Sequence, residues 1–319
     1  MILSPEVLTI FILNLIFALF GTIAFYLSVK IYFGWDLESS SKKQYKLEKQ
    51  SFLTATIIKY IFAIKVPLFL FFVFTIDKIS NVLTGAMCGA GVIDATSYGI
   101  YLLILKIINL YLFAYWLVLH SQDMKDEKQR FTKVKFGFFS IIFLLFISEL
   151  IIESLMFGAI DVDKMVSCCG TIYSATSSSY ISTIFQVKSY ILLGSFYGVF
   201  LLMILSYIFK NKYLYAFLNM LFIFSSLVSL IVFFGTYIYE LPTHHCPFCL
   251  LQKDYYYIGY LLYTTLFLGT FYGLITGFLP SSKTIVKNNF NKSLFFNIIY
   301  VVIVSLYPIV YYFKNGVWL

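Results

Sequence analysis

The side chains best suited to chemistry in this chain are its five cysteines and the adjacent pair His244 and His245. They gather at three places. Cys88 precedes Gly89, Cys168 and Cys169 are adjacent, and both histidines share the stretch from Glu240 to Lys253 with Cys246 and Cys249. Two thiols separated by two residues at the mouth of a helix can close a small reactive disulfide, and the helix N-terminus favours the thiolate. The same atoms suit a second chemistry. Thiolate and imidazole are the ligands that copper(I), zinc and mercury prefer, which makes Cys168, Cys169, His244, His245, Cys246 and Cys249 a candidate metal set. A third reading leaves the cysteines as passive disulfide staples across loops. Adjacent cysteines joined to each other close a strained ring, so Cys168 and Cys169 are expected to bond elsewhere or stay reduced. Five is odd, which leaves one thiol over unless a partner protein takes it.

Charges inside apolar runs are the second constellation. Lys65, Lys106, Glu149 and Glu153 fall within such runs, where each unpaired charge costs about 3 kcal/mol. Glu149 and Glu153 are four apart and share a helix face, and Lys65 or Lys106 at similar depth can neutralise them. The set reads either as a proton path or cation gate, or as an ion pair locking three helices. Lys59 and Lys188 lie nearer the ends of their runs and are expected to snorkel to the surface. Tyr255, Tyr256 and Tyr257 follow the thiol motif and read as part of an aromatic membrane-interface belt, and His120 reads as an interfacial residue. No nucleotide-binding loop, serine triad or helical zinc motif accompanies these residues, which removes support for ATP-driven transport and hydrolysis.

The elements that must position these groups are membrane helices. The chain has 319 residues, 61% hydrophobic and 12% charged, a balance that requires lipid as the solvent. Continuous apolar runs long enough to span a bilayer recur along it, and the alternation of a transmembrane barrel is absent. The expected class is therefore all-α, a polytopic bundle of about eight spans forming one domain over 1–319. The spans cover about 8–32, 53–76, 98–119 and 136–160, then a fifth ending near 209, a sixth ending near 239, a seventh at 250–279 and an eighth ending near 313. The first run flows through Tyr26 and Lys30 with no cleavage site and reads as a span. A short echo links Cys88-Gly89 with Ala95-Thr96-Ser97 and Cys169-Gly170 with Ala175-Thr176-Ser177. It suggests thiol-tipped helical hairpins at 53–119, 136–209 and 214–279.

The net charge of +8 comes mostly from lysines between spans, which set membrane orientation and do not point to nucleic acid. Lys42, Lys43, Lys46 and Lys49, then Lys125 to Lys135, then Lys210 and Lys212, then Lys283 to Lys292 occupy alternate loops. The positive-inside rule assigns those loops to the cytoplasm, so both termini and all five cysteines are expected on the outer face. A bacterial inner membrane is the expected location, with an oxidising compartment facing the thiols.

The stretch Cys246-Pro247-Phe248-Cys249-Leu250-Leu251-Gln252-Lys253 resembles the first active-site motif of the DsbB family of quinone-linked disulfide oxidases. Vitamin K epoxide reductases and their bacterial relatives share the Cys-x-x-Cys placement. Lys253 stands where that motif has arginine, and the other cysteines precede the motif instead of following it. The resemblance implies a membrane thiol-disulfide oxidoreductase. In it Cys249 faces a membrane quinone held near Gln252 and Lys253, and Cys246 exchanges with a second pair drawn from Cys88, Cys168 and Cys169. A periplasmic or luminal thiol protein is the implied partner. Cysteines at the outer ends of spans also resemble those of bacterial mercury-uptake proteins, which implies soft-metal transport or handling as the alternative. A membrane scaffold with structural disulfides is the third expectation.

The orientation has a direct test. A reporter active only in the cytoplasm is expected to work when fused after Lys49, Lys135, Lys212 or Lys287, and to be silent after Cys88, Ser178 or Thr243; an inverted pattern overturns the outer-face assignment.

Overall fold

A computed structural model describes residues 4–36, 41–126, 129–162, 164–166, 187–279 and 283–319. Cys168 and Cys169 lie outside the described residues. Among those described there is no strand, and eight helices are long and apolar enough to cross a membrane. The protein is an all-α integral membrane protein. Its Cα packing divides into two compact units, residues 1–84 with 92–165 and residues 85–91 with 166–319. This division into four-helix units differs from the three-hairpin grouping suggested by the sequence.

The first unit is built from α1 (Pro5–Gly34), α2 (Lys42–Ser80), α4 (Gly99–Asp123) and α5 (Thr132–Ala159), while the short α3 (Gly89–Asp94) has residues in each unit. Helix α2 begins well before the expected span. Ser41 Oγ accepts from Gln44 N at 3.2 Å and caps it, so Lys42, Lys43, Lys46 and Lys49 sit on helical turns and not in a loop. Helix α5 likewise starts before its apolar run. Asp123 accepts from Phe131 N at 3.0 Å, from Thr132 Oγ1 at 2.8 Å and from Lys135 Nζ at 2.5 Å, closing the α4–α5 turn on one buried carboxylate. His120, in the last turn of α4, is buried and stacks on Trp116 at 5.2 Å. Lys59 and Lys188 are exposed, as snorkelling requires. Aromatic side chains fill the centre, with Phe62 stacked on Phe113 at 4.4 Å and Phe139, Phe143 and Phe146 around them.

The second unit contains α6 (Ser189–Ile208), α7 (Lys212–Ser229), α8 (Gly235–Tyr239), α9 (Ile258–Phe278) and α10 (Lys283–Asn315). A π-helical turn, Leu230–Phe234, joins α7 to α8, so the two cross the membrane as one span. Lipid gives helices no hydrophobic reason to associate, so close packing and buried hydrogen bonds must hold them. Helix α9 meets this demand with Gly269, Gly273 and Gly277 on one stripe. A Cβ on Gly273 would overlap the Asn219 amide of α7, and one on Gly269 would overlap the Asn297 amide of α10. The three helices meet around those amides. Asn297 Nδ2 donates to Asn219 Oδ1 at 3.1 Å, Ser293 Oγ donates to the Gly269 carbonyl at 2.6 Å, and Tyr215 OH donates to Ser293 Oγ at 2.9 Å.

Span seven is shorter than expected. It begins at Ile258 and not near Leu250, because residues 249–255 form two single 3-10 turns and Tyr256 and Tyr257 adopt left-handed backbone, φ 54° and 57°. An apolar run followed by tyrosines reads as helix by composition, and the two left-handed residues are what prevent it.

Gly273→Ala is expected to destabilise the folded chain in lipid nanodiscs by about 1–3 kcal/mol through overpacking against Asn219. Gly194→Ala, whose Cβ meets nothing within 4 Å, is the neutral control. Thermal unfolding of both variants checks this; equal stability contradicts the close packing of α7 on α9.

Candidate functional site

Cys88, Cys246 and Cys249 come together in the second unit. Their sulfurs all lie within 4.8 Å of one another, and the residues are 0%, 1% and 5% exposed. Cys88 Sγ and Cys246 Sγ are 3.4 Å apart, a contact well beyond the about 2.05 Å of a disulfide bond. Neither His244 nor His245 joins this cluster, although both precede it in sequence.

The thiols sit on irregular backbone held by named bonds. Tyr239, at the end of α8, donates its hydroxyl to the Cys246 carbonyl, and Tyr263 of α9 donates to the Pro247 carbonyl at 2.7 Å. Gln252 Nε2 donates to the Met87 carbonyl at 3.0 Å and so ties the Cys88 loop to the Cys246 loop. This is a structural use of the side chain assigned above to a cofactor, and Lys253 beside it is exposed. Gly259 completes the seat, because a Cβ there would press on the Leu250 backbone at 2.9 Å. Cys249 begins a three-residue 3-10 turn well before α9 starts, so the expected thiolate activation by the N-terminus of span seven does not apply. A different donor serves the sulfur of Cys246, the Phe248 backbone N–H at 3.4 Å. An N–H aimed at sulfur stabilises negative charge there.

Two neighbours stay uncharged. Burial pushes the Tyr255 hydroxyl up, with Cys249, Asp254 and Cys246 adding to the effect, so it remains a protonated phenol beside the thiols. Burial also lowers His245, although its bond to the Ile231 carbonyl opposes the shift. That carbonyl belongs to the π-helical turn and can only accept at 3.1 Å, so Nδ1 is the donor and Nε2 the acceptor of a neutral ring.

The intramembrane charges also converge, within the first unit. Lys65 Nζ lies 3.0 Å from Glu149 Oε1, and Lys106 Nζ lies 2.8 Å from Glu149 Oε1 and 2.9 Å from Glu153 Oε1. All four are buried, and their ammonium groups rest over Phe146 at 4.8 Å and Phe72 at 4.3 Å. Two amides that the sequence reading passed over complete the network. Asn14 donates to Glu153 Oε2 at 2.7 Å and accepts from Lys65 at 3.1 Å, and Asn109 donates to Glu149 Oε2 at 2.6 Å. A lone asparagine amid apolar residues, as in Ile12 to Phe17 or Ile107 to Phe113, is the signal that could have found them.

Fold and site together define an integral membrane protein with eight membrane-length apolar helices among the described residues, a buried three-thiol cluster and a buried Lys-Glu-Asn network. No protein-family model, curated protein or solved structure matches the chain.

Glu149 holds both ammonium groups, so Glu149→Gln alone is expected to cost about 3–5 kcal/mol by leaving buried positive charge uncompensated. Adding Lys65→Met, Lys106→Met and Glu153→Gln removes every charge and is expected to restore most of that loss. Unfolding midpoints in nanodiscs check both; a single variant as stable as the wild type contradicts the pairing.

Proposed function

We propose that this chain binds and handles a soft metal ion, with copper(I) the best fit, through Cys88, Cys246 and Cys249. The observation that carries the reading is the convergence of three buried sulfurs within 4.8 Å of one another. Ligand sulfurs about 2.3 Å from a shared metal stand roughly 4 Å apart, which suits that spacing. Thiolate ligands also need stabilised negative charge, and the Phe248 N–H is directed at Cys246 Sγ. Burial favours an ion over a protein as the visitor, since sulfurs with 0–5% exposure admit a small ion more readily than a folded partner. By the positive-inside argument the site faces the oxidising side of a bacterial inner membrane, and both termini lie on that side. Cys168 and Cys169 would supply further thiols on the same side, for transfer to or from the cluster.

Thiol-disulfide exchange is the second reading, favoured by the 3.4 Å contact between Cys88 and Cys246. In that scheme the Cys246 and Cys249 thiols close a disulfide and give two electrons and two protons to a membrane quinone. Exchange through Cys246 passes the disulfide outward to Cys88 and then to a thiol protein of the outer compartment.

Copper(I) competition against a chromophoric chelator, done anaerobically on the full chain in detergent, separates the two. One ion per chain is expected, with affinity falling at least about 100-fold in Cys88→Ala, Cys246→Ala or Cys249→Ala. Binding should weaken as pH falls, because protons compete for the thiolates. No stoichiometric metal, together with a reductant-sensitive Cys88–Cys246 cross-link that accumulates in Cys249→Ala, overturns the metal reading in favour of exchange.

A further inference from the structure

The buried network of the first unit is more than a neutral lock. We propose that it is a proton-loading site, in which Glu153 takes up and releases a proton through a single water. The proposal stands apart from the thiol cluster and uses none of its residues.

The two carboxylates are held unequally. Glu149 is saturated, with Oε1 accepting from Lys65 and Lys106 and Oε2 accepting from Asn109. Glu153 is not. Its Oε2 accepts from Asn14, and its Oε1 has the Lys106 ammonium at 2.9 Å, which is shared with Glu149, as its one partner. Glu153 Oε1 is thus a buried carboxylate oxygen with room for a further partner. A carboxylate oxygen has lone pairs for more than one donor, so a water or a proton can add to it.

Room for one exists. A cavity of about 20 Å³ opens among Asn14, Lys65, Lys106, Glu149 and Glu153, against the apolar side chains of Phe72 and Phe113. That is space for one water, and the surrounding groups give it the two to four polar partners a buried water needs. The titratable and polar groups that line the cavity with Glu153 are Asn14 from α1, Lys65 from α2, Lys106 from α4 and Glu149 from its own helix.

The step balances. A hydronium formed at the cavity water gives its proton to Glu153 Oε1, leaving water and a neutral carboxylic acid. Lys106 keeps its proton and its bond to Glu149. The network passes from no net charge, two ammonium against two carboxylate groups, to a single positive charge, and release reverses the step. A purely structural lock has no need of a water-sized cavity beside the carboxylate with fewer partners.

Infrared difference spectroscopy of the full chain in lipid nanodiscs, titrated between about pH 4 and about pH 9, reads the C=O stretch of a protonated buried carboxyl. The wild type is expected to show one such band, shifted by exchange into heavy water and absent in Glu153→Gln. Asn14→Leu removes the donor to Glu153 Oε2 and should move the band to higher wavenumber. A wild type without the band, or a band that persists in Glu153→Gln, overturns the proposal. Should Glu153→Gln not fold, a band left unmoved by Asn14→Leu overturns it equally.

Discussion

Hydrocarbon supplies no hydrogen-bond partner, and that single constraint runs through the whole molecule. Every polar group at membrane depth must be answered from within the protein, so the backbone closes into helices and the charges close onto each other. Lys106 shows the consequence most clearly. It is 6% exposed and lies within 3 Å of two carboxylates, so α2, α4 and α5 cannot separate without stranding charge in lipid. Asn14 adds α1 to the same knot. The four helices of the first unit are thus held together by ionic bonds and by stacked aromatic rings.

The second unit answers the same constraint without charge. Its centre is a set of amides and hydroxyls, Asn219, Ser293, Asn297 and Tyr215, reached because α9 carries glycine wherever α7 or α10 must approach. Neutral polar networks of this kind align helices with little desolvation cost. Among the described residues of this unit, irregular backbone gathers in the segments around 85–91 and 240–257. There Tyr239, Tyr263 and Gln252 satisfy loop carbonyls one by one. The thiols occupy this backbone, where a Cys-x-x-Cys turn can direct sulfurs and an N–H toward one point, as a regular helix would not.

The cluster and the ion network differ in how open they are to chemistry. Three sulfurs near one another, with one backbone donor and a protonated Tyr255 close by, form a soft and polarisable site suited to thiophilic ions. The lysine and glutamate network is hard, closely paired and sized for a single water, which suits protons. Cations of the first kind would find no thiolate in the second site.

Composition alone determined the class of this protein, because no arrangement of residues so apolar could face water, and the eight runs followed from their length. The charges in the spans announced that they must pair, since an isolated lysine or glutamate in lipid is too costly to keep. Sequence could not say which atoms would meet. Whether Glu149 or Glu153 carries both lysines depends on helix rotation, and rotation is decided by how aromatic and glycine surfaces pack. The start of span seven was illegible for a related reason. Leu250 and Leu251 look like helix, but contacts with Gly259, Met87 and Tyr263 hold their segment in single turns. Above all, Cys88 stands 158 residues from Cys246, and a separation of that size carries no local signal. Only the folded packing of the second unit brings those two sulfurs into contact.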